Sequence, residues 1–162
     1  MENNIKIREE LWESVNGLTD KQLNKVVEDG KWSIAQVLEH LYLTEKLALQ
    51  HLSNVICINE TTQVKLRKIH LVEDRTQKVN APSLLMPSDE YQTLHQLKVK
   101  LQSTREALFE KYNTLSEKEL SEKAMPHPVF KFLTIGQWIS FIGYHEKRHL
   151  GQIEEIKAAL LT

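Results

Sequence analysis

The sequence has a single cysteine among 162 residues, so an internal disulfide is excluded. That residue, Cys57, lies in a short apolar run (55–58), which predicts a buried structural thiol rather than a nucleophile, and its isolation is typical of a reducing cytoplasm. No apolar run approaches the ~18 to 20 residues of a membrane-spanning helix. The first 16 residues mix charged and apolar side chains at helical spacing, unlike a signal peptide. We therefore expect a soluble, cytoplasmic protein.

The sequence also lacks an excess of charge of either sign. It contains 21 Lys and Arg residues against 22 Asp and Glu residues, with a formal net charge of -1. This balance excludes the basic surface that binds nucleic acid or anionic membranes. Glycine and proline are few, five and four residues, while 41% of the residues are hydrophobic. This composition is typical of a helical protein that buries its own core, and we expect one domain over residues 1–162.

Apolar residues at spacings of three and four predict four long helices. The first covers about residues 4–15. The second follows the capping box that Ser33 opens and ends near Ile56. The third is predicted to start after Ser88, and the last starts after Thr134 and runs nearly to the C-terminus. The pattern indicates an all-α protein.

The connections between these helices differ in length. Capping boxes at Thr19 and Ser116 predict one short helical turn in each half of the chain, and the two halves show a faint repeat. Residues 59–87 form a long crossover for which we predict a short helix around 64–71. Residues 126–128 are predicted to form a loop. Two helix pairs joined by one long crossover make a four-helix bundle.

Two histidines on the last predicted helix are spaced to share one metal ion. His145 and His149 are four residues apart, so their side chains project from the same face, which also carries isoleucines. Glu146 lies close to that face. Buried polar groups need partners. For a pair with this spacing and a carboxylate between its members, a metal site is favoured over core histidines that only form hydrogen bonds.

A second helix must supply a third ligand. His40 and His51 both lie on the flank of the second long helix, between its apolar and polar faces, and helical periodicity leaves the choice open. His70, His95 and His127 lie in or beside polar segments and are predicted to be surface residues, although any of them could border a pocket.

Two known kinds of metal site share part of this pattern. The segment from His145 to His149 has the zinc-protease spelling H-E-x-x-H. The extended motif requires glycine at the position of Gln152 and histidine at that of Glu155, so we exclude a protease. A carboxylate-bridged di-iron site requires a second Glu-x-x-His pair, which the sequence lacks.

Residues 32–41, Trp-Ser-Ile-Ala-Gln-Val-Leu-Glu-His-Leu, precede the pattern His145-x-x-x-His149-x-x-Gln152-Ile153 by about a hundred residues. In this order the two motifs resemble the DinB-like superfamily, over nearly the whole chain. The resemblance implies a DinB/YfiT-like four-helix bundle with up-down-down-up topology and a homodimer. It also implies a divalent metal, nickel or zinc, held by His40, His145 and His149.

Relatives in this superfamily are similar to thiol-S-transferases that use bacillithiol or mycothiol, to a mycothiol-dependent isomerase, and to hydrolase-like proteins of the YfiT group. The resemblance therefore implies a metal-dependent thiol-S-transferase of the bacillithiol type, with a low-molecular-weight thiol as cosubstrate and a small molecule as substrate. A YfiT-type hydrolase and a non-catalytic, stress-associated metal-binding module are the alternatives.

Four polar residues near the histidine pair have expected roles. Glu146 is the candidate base, and Gln152, one turn after His149, is expected to hydrogen-bond a metal ligand. Lys147 and Arg148 are predicted to lie on the solvated face, where they could also meet a carboxylate of a thiol cofactor.

Overall fold

Helices dominate the computed structural model, which describes residues 1–56 and 64–161. None of the described helices is both long and apolar enough to span a membrane. The long helices are α1 (Glu2–Val15), α3 (Ile34–Ile56), α4 (Leu94–Asn113) and α6 (Ile135–Leu160). The shorter elements are α2 (Asp20–Leu23), α5 (Glu117–Glu122), the strands β1 (Ala124–His127) and β2 (Lys131–Thr134), and 3-10 turns at Ile69–Glu73 and Ser83–Leu85. Cys57 lies outside the described residues, so its predicted burial stays a prediction.

The predicted capping boxes are confirmed. Thr19 and Ser116 each accept a hydrogen bond from the backbone N–H three residues on, and the side chain at that position accepts one from the backbone N–H of the cap residue. Ser33 does the same with Gln36 at the start of α3. Thr134 caps α6. These side chains satisfy backbone donors that the first turn of a helix leaves free.

Helix α4 begins five residues later than the sequence pattern suggested, so the predicted cap at Ser88 is wrong. Thr93 is the N-cap and forms a capping box with Gln96. Ser88 instead donates to the Glu39 carboxylate from both its backbone nitrogen, at 2.8 Å, and its hydroxyl, at 2.9 Å. A serine hydroxyl and N–H can serve a carboxylate as well as a helix end. Ser88 therefore ties the crossover to α3.

Two further local predictions are wrong. The crossover has no α-helix over 64–71; a 3-10 helix covers Ile69–Glu73 instead, and a second covers Ser83–Leu85. Residues 126–128 are not a simple loop, because β1 pairs with β2 in an antiparallel hairpin that also precedes α6 directly. Pro126 carries no backbone N–H, which removes a ladder donor and hides the strand from sequence patterns.

The long helices have the up-down-down-up arrangement. Helix α1 runs parallel to α6, α3 runs antiparallel to α6, and α3 runs parallel to α4, so the crossover carries the chain back to the end where α3 began. The defining pairs are Asn4–Ile139 and Ser14–Glu154, then His40–His149 and His51–Trp138, then Tyr42–Lys100 and Glu45–Arg105. The predicted four-helix bundle is confirmed.

A layer of four charged side chains divides the bundle core. Each long helix contributes one member, and all are buried: Arg8, Glu45, Arg105 and Glu146. Each arginine contacts both glutamates, with Arg8 Nη2–Glu45 Oε1 at 2.5 Å and Arg105 Nη2–Glu146 Oε2 at 2.9 Å. Two positive and two negative charges cancel, which makes this burial tolerable. We call these four residues the charged layer.

Two hydrophobic clusters lie on either side of the charged layer. One contains Leu11, Val15, Leu38, Leu97, Leu101 and Ile153; the other contains Ala48, Leu52, Leu108, Met125, Trp138 and Ile142. On every long helix the charged residue stands close to the buried apolar residues of one or both clusters, such as Leu41 and Ala48 around Glu45 on α3. The layer thus replaces one turn of apolar packing.

Candidate metal centre

Three histidines meet between α3 and α6. The Nε2 atom of His145 lies 3.2 Å from Nε2 of His40 and 3.1 Å from Nε2 of His149. One ligand-capable nitrogen from each ring lies within 4.8 Å of the others. Burial is nearly complete for His40 and His149 and partial for His145. The structure therefore brings together the three residues that the resemblance implied. It leaves His51 apart, half-buried beside Trp138.

Hydrogen bonds on the far side of two rings fix their tautomers. His40 Nδ1 lies 2.8 Å from the Leu85 carbonyl oxygen, and His149 Nδ1 lies 2.8 Å from Oε1 of Gln152. Both partners only accept, so each Nδ1 carries a proton and donates it. Each Nε2 of a neutral ring is then unprotonated and directs a lone pair at His145. This arrangement is typical of metal-ligating histidines, whose other nitrogen donates to an oxygen.

Burial keeps the three rings uncharged. It lowers the pKa of His40, although the Leu85 carbonyl opposes the change, and it lowers the pKa of His149 to about 3. The pKa of His145 falls well below its usual value, first through burial and then through the charges of His149 and His40. At neutral pH all three imidazoles are therefore uncharged, which is the state in which histidine binds a metal.

The donor set fits a divalent transition metal. A tetrahedral zinc ion with nitrogen ligands at about 2.0–2.1 Å separates those nitrogens by about 3.3 Å. The spacings of 3.1 and 3.2 Å around His145 are close to that value. Imidazole suits nickel and zinc alike. The lone pairs of His40 and His149 both point at Nε2 of His145, and a cation coordinated by the three nitrogens would satisfy both.

The three histidines line a cavity of about 1140 Å³ between α6, the crossover and the hairpin. Its described lining is unusually basic. Among the residues that the structure describes, six cationic side chains but only two carboxylates border it; the cations are Lys31, Arg67, Lys68, Arg75, Lys78 and Arg148, and the carboxylates are Glu28 and Glu155. Arg75 pairs with Glu155 at 2.5 Å. The cavity thus combines a nitrogen donor set with a local excess of positive charge in a chain of nearly zero net charge.

Lys147 and Arg148 occupy different environments. Lys147 is exposed and pairs with Glu10 at 2.6 Å, as expected for the solvated face. The Arg148 guanidinium instead binds crossover carbonyls, with Nη1 3.1 Å from Val72 oxygen and Nη2 2.7 Å from Gln77 oxygen. Arg148 therefore holds the crossover over the histidines.

Glu146, the candidate base, does not line the cavity. Its side chain is 1% exposed, and both carboxylate oxygens are held in the charged layer by Arg8 and Arg105. Adjacent residues on a helix project about 100° apart, so His145 and Glu146 face different parts of the bundle. The geometry therefore places Glu146 in the bundle core, away from the cavity.

His127 is buried, and its predicted surface position is wrong. It is 4% exposed and lines the same cavity, whereas His70 and His95 are exposed as predicted. The alternation of β1, in which Met125 and His127 are buried, was the available signal. The prolines on either side of His127 concealed it, because they are typical of loops.

Comparison with known proteins places the chain among four-helix bundles. It is 38% identical to the uncharacterized protein YuaE of Bacillus subtilis (strain 168) over 150 residues, which cover 93% of this chain and 92% of YuaE. The crystal structure of TT2238, a four-helix bundle protein, matches with a TM-score of 0.65 at 18% identity, over 95% of this chain and 94% of TT2238.

A second solved structure has the same fold. It is YfiT from Bacillus subtilis, described as a probable metal-dependent hydrolase with an unusual four-helix bundle topology, which matches with a TM-score of 0.63 at 18% identity. The match covers 97% of this chain and 83% of YfiT. Residues 5–153 match the sequence profile of the DinB superfamily. Because that match covers most of the chain, this protein belongs to the DinB superfamily.

Proposed function

We propose that this protein is a metal-dependent thiol-S-transferase in which His40, His145 and His149 hold one divalent ion. The observation that carries the proposal is the convergence of the three Nε2 atoms, two of them fixed as unprotonated by Leu85 and Gln152. Three neutral imidazoles leave the charge of the ion uncompensated. An ion held this way lowers the pKa of a thiol or a water molecule at its open position.

The charge of the cavity supports a low-molecular-weight thiol of the bacillithiol type, which carries carboxylates, as cosubstrate. Lys31, Arg67, Lys68 and Lys78 border the cavity, are exposed, and form no ion pair within residues 1–56 and 64–161. Such unpaired cations attract an anionic ligand into the cavity.

The size of the cavity supports the presence of two molecules at once. Pockets for one small molecule usually measure roughly 300–1,000 Å³, and this one is about 1140 Å³. In the transfer, sulfur forms a bond to an electrophilic carbon of the second substrate. The departing group takes the electron pair of the bond that breaks, and the thiol proton passes to solvent.

Hydrolysis is the second candidate, and the observation that favours it is the common fold with YfiT, described as a probable metal-dependent hydrolase. The two reactions need the same three histidines. They differ in what approaches the metal: a thiol in the transferase and water in the hydrolase. A non-catalytic metal-binding module would need neither.

Cobalt substitution tests the transferase. The cobalt-loaded protein is titrated with bacillithiol or cysteine and followed by absorption. We expect a sulfur-to-cobalt charge-transfer band in the wild type and none in His149→Ala. If cobalt binds but no thiol changes its spectrum, the transferase is wrong and hydrolysis remains. Nickel or zinc as the native metal, the homodimer and the cytoplasmic location stay predictions, which metal analysis, sedimentation and fractionation of cells can check.

A further inference from the structure

The His127 side chain carries a buried hydrogen-bond donor that no described residue of the chain accepts from. Its Nδ1 atom accepts hydrogen bonds from the backbone N–H groups of Val129 and Phe130, both at 3.1 Å. A backbone N–H can only donate, so Nδ1 is unprotonated and the proton of the neutral ring is on Nε2. That Nε2 atom is buried and has no hydrogen-bond partner within the described part of the chain.

A donor in this state is costly to maintain. Buried polar groups are almost always paired, and leaving one unpaired forfeits its hydration without return. The ring cannot turn over to relieve this, because Nδ1 closes the hairpin turn between β1 and β2. The turn therefore holds an N–H group in place for a partner that residues 1–56 and 64–161 do not supply.

The surroundings of His127 are aromatic. Its ring centroid lies 4.4 Å from that of Phe141, 4.5 Å from Trp138 and 5.0 Å from Phe130. These residues and His127 line the cavity that holds the three histidines. The Phe141 ring also stacks on His145 at 5.2 Å, so it separates His127 from the metal centre. A ligand that contacts both His127 and the metal centre must therefore lie against these aromatic rings.

This environment favours an uncharged acceptor. Burial, followed by the charge of the neighbouring His51, lowers the pKa of His127 to about 4, so the ring is neutral at neutral pH. A carboxylate placed among these aromatic rings would lose its hydration and gain only one neutral donor. A carbonyl oxygen on an apolar group loses much less hydration free energy when it is buried there.

We propose that His127 is a specificity-determining residue, whose Nε2–H binds an uncharged carbonyl oxygen on an apolar substrate lying against Phe130, Trp138 and Phe141. The inference rests on the proposed function for its second substrate. The anionic thiol is drawn by the basic side chains of the cavity, and the apolar electrophile occupies the wall of the hairpin and α6. The two ligands thus differ in both charge and location.

Two substitutions distinguish the roles of the two ring nitrogens of His127. In His127→Asn the side-chain oxygen can replace Nδ1 as acceptor for Val129 and Phe130, but nothing replaces Nε2–H. In His127→Gln the amide reaches the Nε2 position and keeps a donor there. Both variants and the wild type are used as full-length, zinc-loaded protein, since zinc is diamagnetic and permits nuclear magnetic resonance of the imidazole.

The probes are acetophenone, an aromatic ring with a carbonyl, and toluene, the ring without one. In the wild type we expect 15N shifts of a neutral ring protonated at Nε2, and a change in the Nε2–H resonance with acetophenone but not with toluene. His127→Asn should weaken acetophenone binding on the order of tenfold and leave toluene binding unchanged. His127→Gln should recover part of the loss.

The proposal is overturned if the ring is protonated at Nδ1, if acetophenone leaves the Nε2–H resonance unchanged, or if His127→Asn keeps the full preference for acetophenone over toluene. These readouts do not involve thiol binding. A failed cobalt–thiol titration with an intact acetophenone response would refute the transferase alone, and the reverse result would refute the role of His127 alone.

Discussion

The Nε2 atoms of His40 and His145 lie 3.2 Å apart, although 105 positions separate the two residues in the chain. The antiparallel contact of α3 and α6 makes this approach possible, and the Leu85 carbonyl fixes the orientation of the His40 ring. Leu85 belongs to the crossover, so the crossover contributes to the geometry of the metal site even though it supplies no ligand.

Replacing a ligand should abolish tight metal binding. In His149→Ala only two imidazoles remain, and we expect a loss of affinity larger than the roughly 10- to 100-fold typical when a hydrogen-bond partner of a ligand is removed. Titration calorimetry with zinc measures it. His95→Ala is the matched control, because His95 is exposed on α4 and should leave affinity unchanged. Equal affinities in the two variants would show that the ligand set is wrong.

The hydrogen bond from His149 to Gln152 should contribute to metal affinity. Gln152→Leu removes the acceptor for Nδ1–H, and we expect metal affinity to fall roughly 10- to 100-fold. Gln152→Glu retains an acceptor oxygen and should bind metal at least as well as the wild type. If Gln152→Leu matches the wild type in the same titration, the tautomer of His149 does not depend on this contact.

Breaking the charged layer should destabilise the bundle strongly. Arg8→Met leaves Glu146 and Glu45 sharing one arginine in the core. Removing one partner of a buried ion pair typically costs about 3–5 kcal/mol, which urea denaturation of the metal-free protein can measure.

Helices α1 and α6 offer a matched control for that experiment. The exposed pair of Glu10 and Lys147 joins the same two helices. Lys147→Met should hardly change the free energy of unfolding, since exposed ion pairs contribute little. A loss in Lys147→Met as large as that in Arg8→Met would mean that burial does not distinguish the two pairs.

His127 should make stability depend on pH. Burial, and then the charge of His51, lowers its pKa to about 4, whereas in the unfolded chain a histidine titrates near 6.5. The unfolded state therefore takes up a proton as the pH falls through 6.5, and the folded state does so only near 4. The wild type should lose up to about 3 kcal/mol over this interval relative to His127→Asn. Unfolding curves of both metal-free proteins between about pH 7 and about pH 4 measure this difference. It would stay constant over that range if His127 had an ordinary pKa.

The sequence pattern predicts the helices and their caps because both are local properties. Spacing of apolar residues located the four long helices. Side chains within three residues of Thr19, Ser33 and Ser116 defined the caps of α2, α3 and α5. His145 and His149 were predictable for the same reason, since one helix sets their relation.

Features that depend on distant partners could not be predicted in this way. Ser88 looks like a cap until Glu39, far away in the chain, is seen to accept its hydrogen bonds. Glu146 looks like a base beside a metal until Arg8 and Arg105 are seen to hold both of its oxygens. Periodicity left His40 on the flank of its helix, and only the family resemblance selected it over His51.

The charged layer also sets how the helices can slide against one another. Apolar packing tolerates a shift along the helix axis because one leucine can replace another, but a glutamate that moves one turn, about 5.4 Å, leaves both arginines. Glu146 is the neighbour of His145 on α6, and Glu45 lies five residues after His40 on α3. Any shift of α3 against α6 that separated the histidines would therefore also leave buried charges unpaired. Metal-site alignment is thus enforced by residues that never touch the metal, before any metal binds.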